Sequence, residues 1–250
     1  MPGTILLIAG NTNCRLALVR GRTLHPVRLA RTDRVIENPA RLLSGLRAED
    51  AALASVVPRA TRPLARALKA VTARAPFVVS ARARTGLRVR YDRRTLGADR
   101  LCVAEGAAER WTGDLAVADF GTAVTLNFVD RERCFRGGPI LPGPALMLSA
   151  LGRGTAALPV VRFRPRVGVF TRETGEALAA GALAAVAGGV ERALIRAEAE
   201  TGRRWRLIGT GGTAGLLSRH MPRMEAVDSL LGLRGLGRLF RLNRPGPSAR

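Results

Sequence analysis

Lysine is nearly missing from this 250-residue chain: Lys69 is the only one, so 40 of the 41 basic residues are arginine. Aromatic residues make up only 4%, which leaves few platforms on which the bases of a single-stranded nucleic acid could stack. The three cysteines, Cys14, Cys102 and Cys134, lie far apart in the sequence. Their spacing is typical neither of a disulfide framework nor of a zinc site.

Acidic residues are also scarce, and the resulting net charge of +22 raises the question of nucleic-acid binding. The arginines are scattered through every predicted element, and the abundant alanine and glycine are typical of GC-rich coding. We therefore expect no specific nucleic-acid partner and keep a basic nucleic-acid-binding protein as a minor alternative. No apolar run reaches the length that spans a bilayer, and no signal peptide is recognisable. The predicted location is the cytoplasm, with no membrane partner.

Two glycine turns of similar construction begin the two halves of the chain. Residues 8–12 (Ile-Ala-Gly-Asn-Thr) and 119–123 (Asp-Phe-Gly-Thr-Ala) each follow an apolar run and precede an alternating one. A strand, a glycine turn and a strand form a hairpin whose backbone N–H groups can surround phosphate oxygens. The repetition predicts a duplicated α/β domain with a nucleotide held between the copies.

The predicted division is a first domain over residues 1–112, a second over 113–242 and a flexible tail over 243–250. In the first half, residues 91–100 are predicted as a loop and 101–111 as a helix. In the second half, residues 137–143 are predicted to break regular structure, and 174–198 to form the longest helix.

Each turn also has a plainer interpretation. The first turn, with Asn11 and Thr12 as side-chain donors, could cap a hairpin that binds nothing. The second joins the Asp119 carboxylate, suited to a cation, to the Thr122 hydroxyl, suited to phosphate, although Asp119 could simply form an Asx-turn. A third turn, residues 209–212, lies between a predicted strand and a helix and could pass a ribose or serve only as a tight turn.

Residues 96–100 (Leu-Gly-Ala-Asp-Arg) place a carboxylate beside a guanidinium where a loop meets a helix. Asp99 could accept the proton of a substrate hydroxyl during phosphoryl transfer, with Arg100 holding an anionic group. The alternative is a helix-capping aspartate beside a solvated arginine. The neighbouring glycines favour the functional interpretation.

Taken in chain order, these segments resemble the type III pantothenate kinases. The resemblance extends over nearly the whole chain and is carried by residues 10–13, 97–100, 119–123, 137–143, 174–181 and 210–212. It implies α/β architecture with duplicated ribonuclease-H-like domains of the actin and sugar-kinase type, in which mixed sheets are flanked by helices. It also implies a homodimer that phosphorylates pantothenate to 4′-phosphopantothenate, the first step of coenzyme A biosynthesis. The implied cofactors are ATP, Mg²⁺ and a monovalent cation, K⁺ or NH₄⁺.

The resemblance also implies roles for individual residues. Asp99 would be the proton acceptor, Asp119 would bind the monovalent cation, and Thr174 would reach the substrate across the dimer interface. The other implied substrate contacts are Tyr91, Gly97, Ala98, Asp99 itself and Arg100. The implied ATP-binding residues are Ile8, Ala9, Gly10, Asn11, Thr12, Asn13, Cys14, Arg15 and Thr122.

Two positions depart from the family pattern. Ile8 stands where the family has an aspartate, and Val103 where it usually has an asparagine. Losing one charge-neutralising contact in phosphoryl transfer commonly costs ~10²–10³-fold in rate. The departures leave three possibilities open: a slow enzyme, a metal held by another carboxylate such as Asp119, or a catalytically impaired relative that acts as a ligand-binding or regulatory protein.

Overall fold

The computed structural model describes residues 3–21, 23–165 and 168–244, which fall into two compact units. Unit 1 comprises Met1–Trp111, Arg133–Phe135 and Leu230–Arg250, and unit 2 comprises Thr112–Glu132 and Arg136–Ser229. The elements up to residue 111 are β1 (Thr4–Ala9), β2 (Asn13–Arg20), β3 (Thr23–Arg31), α1 (Thr32–Glu37), α2 (Pro39–Leu43), β4 (Asp50–Ser55), α3 (Pro58–Val71), β5 (Phe77–Val78), β6 (Arg88–Val89) and α4 (Ala98–Arg110). The later elements are β7 (Leu115–Phe120), β8 (Ala123–Val129), β9 (Cys134–Gly137), β10 (Ile140–Pro142), α5 (Pro144–Gly154), α6 (Thr174–Thr201), β11 (Arg206–Thr210), α7 (Ala214–Leu217), a 3₁₀ turn (Ser218–His220), β12 (Met224–Val227) and α8 (Leu231–Asn243).

The sheet of unit 1 has the strand order β3-β2-β1-β4-β5. The first three strands are an antiparallel meander, whereas β4 and β5 run parallel to β1. Side chains alternate across β1, so Ile5 and Leu7 pack on the α1–α3 layer and Leu6 packs on the layer of α4 and α8. Both faces of this sheet are therefore covered by helices.

Helix α8 packs on α4 with backbone against backbone. A Cβ added to Gly235 would lie 1.6 Å from the Cys102 carbonyl oxygen, and one added to Gly106 would lie 2.3 Å from the Leu231 carbonyl oxygen. Only glycine permits this approach. The C-terminal helix is consequently an integral part of unit 1.

This packing differs from the sequence-based division at the chain end. Residues 231–242 were predicted to belong with the second half. Their packing partner, α4, lies more than 100 residues earlier, and local sequence patterns do not reveal such distant contacts. The predicted tail also begins too early, because Asn243 ends α8 and exchanges two hydrogen bonds with the backbone of Arg84, at 2.8 and 2.9 Å. Residues 245–250 of that tail lie outside the described residues.

Unit 2 repeats the plan of unit 1. Strands β7 and β8 form an antiparallel hairpin, β11 lies parallel to β7, and β12 lies parallel to β11. Helix α6 packs Val186, Val190 and Leu194 onto the apolar face of this sheet. The predicted fold class, duplicated α/β domains with mixed sheets flanked by helices, is confirmed.

Two predicted segments differ from the structure. Helix α4 begins at Ala98 rather than 101, so Asp99 and Arg100 lie in its first turn instead of a loop. Within the stretch predicted to break regular structure, β10 pairs with β8. Glycine and proline there signalled a break, but strand pairing overrides that local preference.

Helix α6 is the one described helix long and apolar enough to cross a membrane by length and composition, with a mean hydropathy of 1.5 over its most apolar window. Its apolar character comes largely from alanine and glycine. The uncharged stretch, residues 177–190, is shorter than the roughly 20 residues that a bilayer requires. The absence of a membrane partner stays a prediction.

Candidate functional site

The first glycine turn joins β1 to β2 and is held by the start of α1. The Gly10 N–H donates to the Asn13 carbonyl at 3.0 Å, and the Thr32 hydroxyl donates to the Gly10 carbonyl at 2.6 Å. The Thr32 N–H donates to the Thr12 carbonyl at 2.9 Å. These contacts leave the Asn11, Thr12 and Asn13 side chains exposed. The turn is thus a rigid loop with polar groups available to a ligand.

The other residues predicted for this turn point elsewhere. Ala9 and Cys14 are fully buried in the apolar core, so only their backbones could reach a ligand. Burial raises the pKa of the Cys14 thiol, which lies 3.6 Å from the Thr32 hydroxyl. Arg15 is half-buried on β2, opposite Ile8 of β1.

Ile8 and Val103, the two departures from the family pattern, approach the same point of α8. A Cβ on Gly232 would lie 3.2 Å from Ile8 Cδ1 and 3.7 Å from Val103 Cγ2. Ile8 also packs against the apolar cluster between β1 and α8. Position 8 is therefore part of a hydrocarbon contact and supplies no oxygen to a cation.

Asp99 lies in the first turn of α4, close to the end of β1. The Arg100 backbone N–H donates to Asp99 Oδ1 at 2.7 Å, which fixes this carboxylate oxygen. A Cβ on Gly97 would lie only 2.5 Å from Asp99 Oδ1 and 3.7 Å from Val56 Cγ1. The Val56 N–H in turn donates to the Ala9 carbonyl at 3.1 Å. The structure thus brings Asp99 and Gly97 to the edge of the sheet where the first glycine turn begins.

The surroundings of Asp99 favour its protonated form. Burial raises the pKa of the Asp99 carboxyl above its ordinary value, and this effect outweighs the Arg100 N–H and guanidinium, which act in the opposite direction. Val103, one helical turn further on the same face of α4, contributes hydrocarbon rather than a polar group. A carboxylate with a raised pKa is a stronger proton acceptor at neutral pH.

Arg100 is almost fully buried between two aromatic rings. Its guanidinium carbon lies 5.4 Å from the centre of the Tyr91 ring and 5.7 Å from that of Phe135. The two rings meet edge to face at 6.0 Å. Burial lowers the pKa of Arg100, and Tyr91 and Asp99 partly offset the shift. Phe135 was missed by sequence reasoning, because nothing local links it to a residue 35 positions earlier.

In unit 2 the second glycine turn is crossed by the third. Gly211 has φ of +95°, and a Cβ there would lie 2.5 Å from Asp119 Oδ1 and 2.6 Å from the Phe120 backbone nitrogen. The Thr213 N–H and hydroxyl both donate to the Phe120 carbonyl, at 3.3 and 3.2 Å. Asp119 is therefore confined beneath a glycine backbone, with its side chain half-buried.

Thr122, at the tip of the second turn, is approached by Gly143 at the start of α5. The Gly143 N–H donates to the Thr122 carbonyl at 2.9 Å, and a Cβ on Gly143 would lie 2.6 Å from the same oxygen. The turn, Gly143 and Gly211 thus meet at one edge of the unit 2 sheet. Thr174 is exposed at the first position of α6.

The two turns differ in their fit to a cation. Among the described residues no three His, Cys, Asp or Glu side chains are grouped to hold a metal. Hard cations take oxygen ligands, and Mg²⁺ commonly needs only one or two carboxylates besides substrate phosphates. The Asp119 carboxylate, enclosed by the backbones of Phe120 and Gly211, fits that requirement. The first turn, with Ile8, does not.

Comparison with known proteins identifies a matching family. The family profile described as type III pantothenate kinase matches residues 5–196. A type III pantothenate kinase of Akkermansia muciniphila is 35% identical over 235 residues, covering 93% of this chain and 96% of its own length.

Solved structures show the fold. A putative 2-dehydro-3-deoxygalactonokinase from Sinorhizobium meliloti has a TM-score of 0.62 at 15% identity, covering 97% of this chain and all of its own. A ROK family glucokinase from Streptomyces griseus, solved with glucose and AMPPNP, has a TM-score of 0.58 at 11% identity, covering 95% and 98% of the two chains. The fold is thus that of the actin and sugar-kinase type.

Proposed function

The chain belongs to the type III pantothenate kinase family, and from that premise we propose that it transfers the γ-phosphate of ATP to the primary hydroxyl of pantothenate. This reaction opens coenzyme A biosynthesis. The observation that carries the proposal is the half-buried Asp99, held by the Arg100 N–H at 2.7 Å beside the first glycine turn.

Asp99 acts as the proton acceptor for the attacking hydroxyl. The Arg100 N–H holds Oδ1 in a fixed direction, and the raised pKa of the carboxyl suits proton acceptance near neutral pH. Gly97 permits this geometry, because any side chain there would collide with the carboxylate. Ala98 places the carboxylate in the first turn of α4, where the positive end of the helix dipole favours a bound anion.

Arg100 and Tyr91 form the wall of the pantothenate site. Pantothenate carries a carboxylate, and a guanidinium held between two rings keeps its orientation while presenting N–H groups to that anion. Thr174, exposed at the start of α6, contributes its hydroxyl to the site of the partner subunit.

The ATP-binding residues that the family resemblance implies are the exposed polar turn at residues 10–13 of unit 1 and, in unit 2, Thr122. Asp119 holds a cation, which neutralises charge on the transferring phosphoryl group when bound. We assign Mg²⁺ or K⁺ to Asp119, and none to position 8, since hydrocarbon cannot ligate either ion. The family implies a divalent metal, and its identity as Mg²⁺ is part of this proposal.

The homodimer forms through unit 2. The outward side of α6 carries small exposed residues, among them Ala177, Gly181, Ala184 and Gly188, and no atom lies within 4 Å of a Cβ on either glycine. Exposed Leu146 and Leu151 on the neighbouring α5 extend this apolar surface. The protein acts in the cytoplasm, as expected of a soluble metabolic enzyme.

A coupled assay of ADP release with pantothenate, ATP, Mg²⁺ and K⁺ tests the assignment. Asp99→Asn is expected to lower kcat by ~10²–10⁴-fold, the usual contribution of a positioned general base. Asp92→Asn is the matched control, since Asp92 lies in the preceding loop and pairs with Arg94 at 3.1 Å on the surface. Equal turnover in Asp99→Asn and the parent chain would refute the role of Asp99.

The hydrocarbon that Ile8 and Val103 both place beside Gly232 favours a second candidate, a catalytically impaired relative that binds its ligands and regulates a partner. Calorimetry separates the two functions. Binding of ATP and pantothenate without any turnover supports the second, whereas pantothenate-dependent ADP release supports the first.

A further inference from the structure

The outward face of helix α3 carries a row of cations. Arg59, Arg62, Arg66 and Lys69 are all exposed, while Ala60, Leu64 and Leu68 of the same helix are fully buried. At 100° per residue the four cations fall within an arc of about 80°, centred opposite the buried face. The row is about 15 Å long at 1.5 Å per residue. These four residues are called the α3 row below.

The charge of the α3 row is not compensated. Helix α3 contains no acidic residue, and no ion pair joins Arg59, Arg62 or Arg66 to any residue that the structure describes. Among the residues that the structure describes, the Lys69 ammonium donates to the Ala73 carbonyl alone, at 3.2 Å.

Acidic groups near α3 are already paired with other arginines. On α1, which packs against α3, Asp33 pairs with Arg31 at 2.7 Å and Glu37 with Arg34 at 3.2 Å. Arg41 on α2 adds a further exposed cation. Arginines elsewhere commonly face acids, as Arg131 faces Asp114 and Arg223 faces Glu198. The row is thus a local concentration of positive charge and not a sample of the scattered arginines expected from the sequence.

We propose that the α3 row binds the phosphate backbone of double-stranded nucleic acid without sequence preference. Guanidinium groups match phosphate oxygens bidentately, and duplex DNA presents one negative charge per about 1.7 Å of axis. Helix α3 carries no aromatic side chain, which single-stranded binding uses for stacking. Duplex DNA and duplex RNA share this backbone chemistry.

An anionic membrane fits the row less well. Membrane-surface helices insert an apolar face, but the apolar face of α3 is occupied by the core of unit 1. The exposed side offers cations and small residues only. The proposal concerns a surface separate from the catalytic residues and does not rest on the kinase assignment.

Fluorescence anisotropy with random-sequence duplexes of DNA and of RNA between 50 and 200 mM salt tests the proposal. Each phosphate contact contributes about −0.9 to the slope of log K against log salt. The variant Arg59→Gln/Arg62→Gln/Arg66→Gln/Lys69→Gln is expected to flatten the slope by about 3.6, if each cation contacts one phosphate, and to weaken binding at least tenfold at the lowest salt. A matched control, Arg20→Gln/Arg82→Gln/Arg153→Gln/Arg219→Gln, removes equal charge from exposed positions outside the row.

The comparison of the two variants decides the outcome. Equal losses in both would overturn the proposal, because general electrostatics would then explain binding. So would a row variant that still binds duplexes while losing only its adsorption to phosphatidylserine vesicles. An unchanged circular dichroism spectrum and an unchanged urea unfolding curve of the row variant establish that it is folded.

Lys69 provides a second measurement in the unmodified protein. It holds the only ε-amino group in the chain, so amine acetylation followed by mass spectrometry reports this face directly. Duplex DNA is expected to slow Lys69 acetylation severalfold while leaving the reaction of the N-terminal amine unchanged. Equal protection of both amines, or of neither, contradicts binding at the row.

Discussion

The two glycine turns share a scaffold and differ in chemistry. Each turn connects the two strands of an antiparallel hairpin. The first strand of each hairpin also pairs with a parallel strand on its other side. In unit 2 the strand before the turn carries the Asp119 carboxylate, which a glycine backbone encloses. In unit 1 the corresponding Ile8 packs toward Val103 and Gly232. Both units keep a glycine turn of similar construction, but a carboxylate precedes the turn only in unit 2.

The difference extends to the neighbours of each turn. Val103 is a second hydrocarbon near Gly232. Both positions that are polar in the family pattern, 8 and 103, are therefore apolar in this chain. Asp119 instead depends on Gly211, where φ of +95° excludes ordinary side chains. A carboxylate at either turn requires matching neighbours, and four substitutions can test this dependence.

The largest effect is expected from Gly211→Ala. A left-handed backbone costs about 1–2 kcal/mol for alanine, and overpacking against Asp119 and Phe120 costs about 1–3 kcal/mol more. The free energy of unfolding in urea should fall by the sum, and kcat by more than ~10²-fold as Asp119 is displaced. Gly215→Ala, where no atom lies within 4 Å of the added Cβ, should leave both unchanged.

Asp119→Asn should lower kcat by ~10²–10³-fold with little change in stability, because it removes charge and keeps volume. Titration with K⁺ and Mg²⁺ measures which ion loses its site. If Asp119→Asn responds to both ions as the parent chain does, the cation assignment to unit 2 is wrong.

Ile8→Asp alone should destabilise unit 1 by about 1–3 kcal/mol, since it places a carboxylate where Ile8 packs on an apolar cluster and approaches Gly232 of α8. Adding Val103→Asn should recover part of that loss by a hydrogen bond and raise kcat above that of the parent chain. A double-mutant cycle on unfolding and turnover measures the coupling. Strict additivity would show that the two departures are independent.

The smallest effect concerns pH. Protonated Asp99 cannot accept a proton, so kcat should fall as the pH drops through its raised pKa, above the ordinary aspartate value of about 3.9. Val103→Asn should shift this acid limb to lower pH, because a polar neighbour stabilises the ionised form. A limb unchanged in Val103→Asn would mean that other groups set the pKa.

Local signals were sufficient for the hairpins and the glycine turns. The strands around Gly10 and Gly121 are indicated by the apolar and alternating runs next to each glycine, and the structure has both hairpins. The start of α4 was placed three residues late because Gly97 was interpreted as loop, although Gly97 is the residue just before the helix and the Asp99 side chain accepts from a first-turn N–H.

Tertiary contacts account for what sequence reasoning missed. Phe135 lies beside Arg100, and Gly232 lies beside Ile8. Each pair joins residues far apart in the sequence, and hydrophobic periodicity reports only on near neighbours. The α3 row was available from the sequence, since a helix with Leu64 and Leu68 inward must turn Arg62 and Arg66 outward. It was overlooked because the arginines were judged by their scatter along the chain and not by the helix face on which they lie.

The glycine contact between α4 and α8 has a consequence for synthesis on the ribosome. The helix that carries Asp99 is complete after residue 110, but its partner begins at residue 231. Until residues 231–243 have been synthesised, the nascent chain therefore exposes the side of α4 that α8 covers. Termination before residue 231 leaves the helix of Asp99, the proposed proton acceptor, without its α8 partner.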